Sequence, residues 1–189
     1  MKAKLRKSVF SYLNFASYLT SLNILCGVTS ILFAIEGNFF LAGTLILLCV
    51  IFDTLDGLYA CTLDQETDFG SEYDSLSDLI SFGVAPMVMV VTYFGNPVLN
   101  ALSILIPVAG ALRLARYNVT RHQTKGYLIG LPIGESGIAI PFLVAANAPE
   151  FVVGIVIVAI AILYLCTFRI NKVMSKSRIE SQNKNLESI

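Results

Sequence analysis

IFDTLDGLYACTLDQETDFGSEYDSLSDLISFGVAP, residues 51–86, sets Asp53, Asp56, Asp74 and Asp78 into a largely hydrophobic setting, with Gly57 and Gly70 close by. Eight of the chain's 13 acidic residues fall between positions 53 and 78. An ionised carboxylate within a membrane segment is costly, so such residues mark functional sites by default. This concentration of negative charge in apolar sequence calls for a cation.

Around that segment the chain is equally apolar. Its 189 residues are 56% hydrophobic and only 14% charged, where soluble proteins carry roughly a quarter charged residues. The mean hydropathy is +0.73. An ordinary soluble domain is excluded, and a polytopic membrane protein is the class that fits. Cys26, Cys49, Cys61 and Cys166 show neither metal-site nor disulfide-framework spacing. The lone histidine, His122, cannot build a histidine-based metal site. No nucleic-acid partner is expected.

Six apolar spans are predicted, at about 17–35, 39–62, 73–94, 98–118, 132–147 and 151–169. The expected fold is therefore all-α, with a six-helix transmembrane domain over residues 17–169. Residues 1–16 alternate Lys2, Lys4, Arg6 and Lys7 with Val9, Phe10, Leu13 and Phe15. They read as an amphipathic helix on an anionic membrane surface, or more simply as a basic flank. The remainder, 170–189, is a polar tail. All 13 Lys and Arg fall in three clusters, at 2–7, 113–125 and 169–184. Six spans place all three on one side, and the positive-inside rule makes that side the cytoplasm. Both termini and the loop joining spans two and three then face the cytoplasm, in the cell membrane.

Spans two and three form a hairpin. At about 1.5 Å per residue, Asp53 and Asp78 lie about 21 and 24 Å from the outer ends of their helices, at similar depth. Asp53 and Asp56 are three apart, Asp74 and Asp78 four apart, so each pair shares a helix face. Four carboxylates can thus be aimed at one point. Carboxylates without His or Cys suit a hard divalent ion, Mg2+, Mn2+ or Ca2+. A pair of such ions is the recurrent clamp for displacement at phosphorus. The same aspartates could instead line a proton or cation pathway in a transporter.

The spacing Asp53-x-x-Asp56-Gly57-x-x-Ala60, then Gly70-x-x-x-Asp74-x-x-x-Asp78, resembles the signature of the CDP-alcohol phosphotransferase family. FGSEYDSLSDLISFGVAP (69–86), LRLARYN (112–118) and GLP (130–132) resemble its phosphatidylserine synthase branch, as does Asn23-x-x-x-Gly27 more weakly. DSLSD argues against branches whose acceptor is glycerol phosphate or inositol phosphate. The resemblance implies transfer of a phosphatidyl or archaetidyl group from CDP-diacylglycerol or CDP-archaeol to L-serine, with release of CMP. It further implies that Asp53, Asp56, Asp74 and Asp78 hold two ions, Mg2+ or Mn2+, with Ca2+ a third candidate. Asp78 would also take the proton from the attacking hydroxyl. Asn23, Gly57, Ala60 and Gly70 would border the CDP-lipid, and a homodimer among membrane lipids is expected. Arg113 and Arg116 read either as a site for the serine carboxylate or a lipid phosphate, or as topogenic charges reaching the headgroups. Cys61 stands where the family signature carries arginine. A thiol neither anchors a carboxylate nor contacts diphosphate, so metal binding is expected to persist and turnover to suffer.

Overall fold

The computed structural model describes residues 15–62, 67–120, 127–167 and 169–171, with the backbone alone at 60–62, 127–129 and 169–171. The expected surface helix over 1–16, except its last two residues, lies outside the described residues, as do Asp64, Glu66, Arg121, His122, Lys125 and the tail beyond 171.

Among the described residues the chain folds into eight α-helices: α1 Phe15–Ile35, α2 Phe39–Thr62, α3 Asp68–Asp78, α4 Ala85–Phe94, α5 Pro97–Ser103, α6 Leu105–Thr120, α7 Gly134–Ala145 and α8 Glu150–Leu165. A wider turn of π-helix, Leu79–Val84, joins α3 to α4 without a break. Four helical passages are long and apolar enough to cross a membrane: Phe15–Ile35, Phe39–Tyr59, Asp68–Phe94 and Pro97–Thr120. The last two apolar helices are shorter than expected. With 12 residues α7 spans about 18 Å, short of a hydrocarbon core of roughly 30 Å. Gly130 at φ 78° and Pro132 hold the chain out of helix before α7, and Asn147 at φ 50° turns it out afterwards. An extended Cys166 ends α8. The third span, by contrast, starts earlier than expected, because Thr67 caps it by accepting the Gly70 N–H at 3.0 Å. Asp68 and Gly70 therefore belong to the first turn of α3 rather than to a loop.

The bundle is polar inside and apolar outside. In α1 the buried positions are Ser17, Thr20, Asn23, Gly27, Ser30 and Ala34, recurring every three or four residues. Tyr18, Leu25 and Leu32 on the outer face stay 56–61% exposed. That inversion is what helices packing in lipid require, since small and polar residues glue the interior while large apolar ones meet acyl chains. Hydroxyls stitch the seam between α1 and the third passage: Ser77 Oγ donates to Thr20 O (3.3 Å) and Ser81 Oγ to Asn23 O (3.2 Å). Farther along, Ser136 Oγ donates to Phe82 O at 2.5 Å, taking up a carbonyl of the π-turn. Tyr164 Oη, fully buried, donates onward to Ile133 O at 2.7 Å.

A short antiparallel pairing of β1 (Tyr127–Ile129) with β2 (Arg169–Asn171) brings the segments after α6 and α8 to the same end of the bundle. The tight turn at 36–38 returns α2 alongside α1, so the end of α2 lies at the end of the bundle where α1 begins.

Gly27 lets α1 approach the π-turn: a Cβ there would fall on the Ser81 hydroxyl and lie 3.0 Å from Ser81 Cα. Gly27→Val should therefore lower the thermal midpoint in detergent, at an overpacking cost of about 1–3 kcal/mol. Gly57→Ala, whose Cβ would meet nothing within 4 Å, should leave the midpoint unchanged or slightly raised. Circular dichroism melts check both.

Candidate metal and phosphate site

Two antiparallel helices deliver the acidic residues. Asp53 and Asp56 lie on the last three turns of α2, and Asp74 and Asp78 on α3. Asp53, Asp56 and Asp74 each present one carboxylate oxygen, and the three atoms lie within 4.8 Å of one another. Asp78, buried one turn farther along α3, adds a fourth carboxylate beside Asp53. The four thus form an elongated site rather than a point. Asp78 lies one turn beyond Asp74, about 6 Å along the axis, next to the deeper aspartate of α2.

The electrostatics demand compensation. Asp56 and Asp78 are buried and Asp53 and Asp74 half-buried. Arg113 of α6, 8% exposed, lies within electrostatic reach of Asp53, Asp74 and Asp78. One guanidinium cannot balance four carboxylates in a low-dielectric bundle, where like charges this close cannot all stay ionised without a cation. An all-oxygen donor set with no thiolate or imidazole fits a hard divalent ion.

Unmet hydrogen-bonding capacity gathers at the same place. Among the described residues, buried side-chain atoms without a partner occur on Asn23, Asp74, Asp78, Asn100 and Arg113. Buried polar groups are normally paired, and each exception needs a cause. Four of these five are residues that the sequence marks as site candidates, so the unmet donors and acceptors fit a polar or charged ligand at this place. Asn23 is fully buried, with neither atom of its amide partnered.

The remaining candidates separate. Gly57 has open space where a side chain would be, whereas a Cβ at Gly70 would lie 3.0 Å from Thr67 Oγ1, the cap of its own helix. Ala60 and Cys61 continue α2, but their side chains are outside the described residues. Arg113 lies with its guanidinium 5.7 Å from the centre of the Tyr117 ring, a cation–π distance. Arg116 turns the other way, donating to Tyr164 O (2.8 Å), Leu165 O (3.0 Å) and Cys166 O (3.1 Å). It closes the C-terminus of α8, where carbonyls lack helical partners.

Several neighbours were not singled out from the sequence. Thr20 Oγ1 donates to Asp56 Oδ2 at 2.7 Å. Ser21 and Tyr73 share a 3.0 Å hydrogen bond, and Asn118 bridges Ser75 and Glu72 at 3.2 Å each. The hydroxyl stripe of α1, repeating at helical spacing, was the signal available for Thr20.

Residues 13–169 match the family model described as CDP-alcohol phosphatidyltransferase. A CDP-diacylglycerol–serine O-phosphatidyltransferase of Methanocaldococcus jannaschii is 40% identical over 126 residues, covering 67% of this chain and 58% of that protein. One of the same name from Helicobacter pylori is 35% identical over 130 residues, covering 67% and 55%. An archaetidylserine synthase of Methanothermobacter thermautotrophicus is 33% identical over 174 residues, covering 88% and 73%. The matched region spans little more than half the length of the first two relatives.

The crowding of acidic groups has a measurable consequence. Asp74→Asn should raise the thermal midpoint of metal-free protein by relieving like-charge repulsion, and should abolish the further rise that Mn2+ produces in the unaltered chain. Paired melts with and without Mn2+ read both effects.

Proposed function

The chain belongs to the CDP-alcohol phosphatidyltransferase family, and from that premise we propose that it transfers a phosphatidyl or archaetidyl group from a CDP-linked lipid to L-serine, releasing CMP. The observation that carries this is the carboxylate cluster built by two adjacent helices in an apolar bundle, with unpartnered polar atoms on Asp74, Asp78, Asn23 and Arg113 around it. The relatives' names supply the acceptor and the two lipid classes. Family membership weighs against the transporter reading.

Asp53, Asp56, Asp74 and Asp78 would hold two ions, Mg2+ or Mn2+. When bound, such a pair neutralises and clamps the diphosphate oxygens. Gly57, with nothing within 4 Å of where its Cβ would stand, would leave room for the diphosphate beside α2. Asp78 accepts the proton of the serine hydroxyl, whose oxygen bonds to the lipid-side phosphorus as the anhydride P–O bond to CMP breaks. Both products then carry their atoms away without an enzyme-bound intermediate. Arg113 receives the serine carboxylate through its guanidinium, including the Nε that is now unpartnered. Arg116, occupied at the end of α8, is left out of that role. Asn23 offers its amide from the deep side. The membrane-embedded protein would carry six spans in the cell membrane, with the site facing the cytoplasm, and act as a homodimer.

Purified protein in detergent, given CDP-diacylglycerol or CDP-archaeol with Mn2+ or Mg2+, tests the reading. CMP release should require both the dication and serine. Release that is indifferent to serine, or that depends on glycerol phosphate instead, removes the acceptor assignment. Asp78→Asn should lower kcat at least about 100-fold, the scale of general-base catalysis. Arg113→Lys should raise KM for serine more than it lowers kcat, because lysine lacks the guanidinium fork.

Cys61 lies in the interval between Asp56 and Asp74 where the related signature has arginine. Cys61→Arg should increase turnover with CDP-lipid by restoring a cation next to the diphosphate. Steady-state CMP release compares the two forms, and an unchanged rate would count against a handicap at this position.

A further inference from the structure

Thr20 behaves unlike other threonines in this bundle. On helices of apolar proteins a threonine hydroxyl ordinarily bonds back to the carbonyl four residues earlier. Thr29, Thr44, Thr54, Thr92 and Thr120 all do so, at 2.7–2.9 Å. At Thr20 the corresponding contact, to Ala16 O, is 3.0 Å, and the shorter bond of 2.7 Å goes across to Asp56 Oδ2. One hydroxyl carries one proton. A charged acceptor at the shorter distance claims it, since hydrogen bonds to carboxylates are shorter and stronger than those to neutral carbonyls.

Position reinforces the assignment. Thr20 is 3% exposed and Asp56 5%, so solvent offers neither group a substitute. The carbonyl of Thr20 accepts the hydroxyl of Ser77, the residue before Asp78. A single residue of α1 therefore touches both helices that carry the carboxylates. Ligating carboxylates generally rely on such outer partners to set their orientation.

We propose that Thr20 is a positioning residue for Asp56, fixing the rotation of its carboxylate and hence the oxygen offered to the divalent ion. This deepens the reading that Asp53, Asp56 and Asp74 hold that ion, and it rests on it. With the hydroxyl removed, Asp56 is free to rotate toward other donors and the three-oxygen arrangement loosens. Metal affinity then falls even though every ligand remains in place.

The test is Mn2+ titration of the purified full chain in detergent, followed by the loss of the free-Mn2+ electron paramagnetic resonance signal, without substrate. Thr20→Val, nearly the same shape, should weaken Mn2+ binding about 10-fold or more, within the range seen for outer-partner loss. Thr20→Ser, which keeps the hydroxyl, should return it close to the unaltered value. In an Asp56→Asn background Thr20→Val should add no further weakening, because the residue acts through Asp56. Should the valine form not fold, Thr20→Ala against Thr20→Ser gives the same comparison. If the unaltered chain binds Mn2+ and the valine form binds it equally, the role of Thr20 is overturned while the metal reading stands. If the unaltered chain takes up no Mn2+ at all, the metal reading falls and the role of Thr20 falls with it.

Discussion

Charge compensation inside an apolar bundle governs this structure. A carboxylate taken out of water loses several kcal/mol of hydration that only a partner of opposite charge or a set of donors returns. Asp53, Asp56, Asp74 and Asp78 have between them Arg113 and the Thr20 hydroxyl. That is too little for four negative charges. The groups are held together by the packing of the rest of the bundle, and an all-oxygen cluster so short of positive charge is suited to a divalent ion.

Rigidity at the site comes from helices that donate no ligand themselves. The inner stripe of α1 accepts hydroxyls from α3 and the π-turn, while Cys49 Sγ, one turn before Asp53, also points at Asn23 O at 3.3 Å. Asn23 therefore anchors α2 and the third passage through its carbonyl while leaving its amide unspent. The π-turn needs its own support, because a wider turn leaves carbonyls poorly placed for the regular ladder. Ser136 takes the Phe82 carbonyl, and its own N–H donates to Tyr164 Oη at 3.3 Å. Gly137 allows this approach, since a Cβ there would lie 2.5 Å from the Phe82 ring. Through these contacts α7 and α8, which carry no acidic ligand, bear on where Asp78 sits.

What was legible in the sequence follows the same physics. Aspartates three and four apart in apolar runs are rare for energetic reasons, so their helix faces and their convergence could be read from spacing alone. Helix ends were less legible. The start of α3 depends on Thr67 capping a polar first turn, and a threshold of hydrophobicity cannot see that cap. The shortness of α7 depends on Gly130 and Asn147 adopting left-handed backbone, which a run of apolar residues conceals. Thr20, Ser77, Ser81 and Ser136 were illegible individually, because a hydroxyl in a membrane helix has its own carbonyl to bond and only tertiary contact shows when it bonds elsewhere. Arg113 and Arg116 looked equivalent as a pair three apart. They differ because one residue lies near the carboxylates and the other reaches the open end of α8.

That divergence shows how the fold separates structure from function. Arg116 donates to three carbonyls at the end of α8 that no helix could otherwise satisfy, so it serves to hold α8 in place. Arg113, buried against Tyr117 and near the aspartates, still has an Nε with no partner. A buried donor left unmade costs about 1–3 kcal/mol. Together with the unpaired atoms of Asn23, Asp74 and Asp78, that cost falls on one part of the bundle. Unmet hydrogen bonds and uncompensated charge thus collect around the carboxylates, in a bundle whose other described buried polar groups are almost all satisfied.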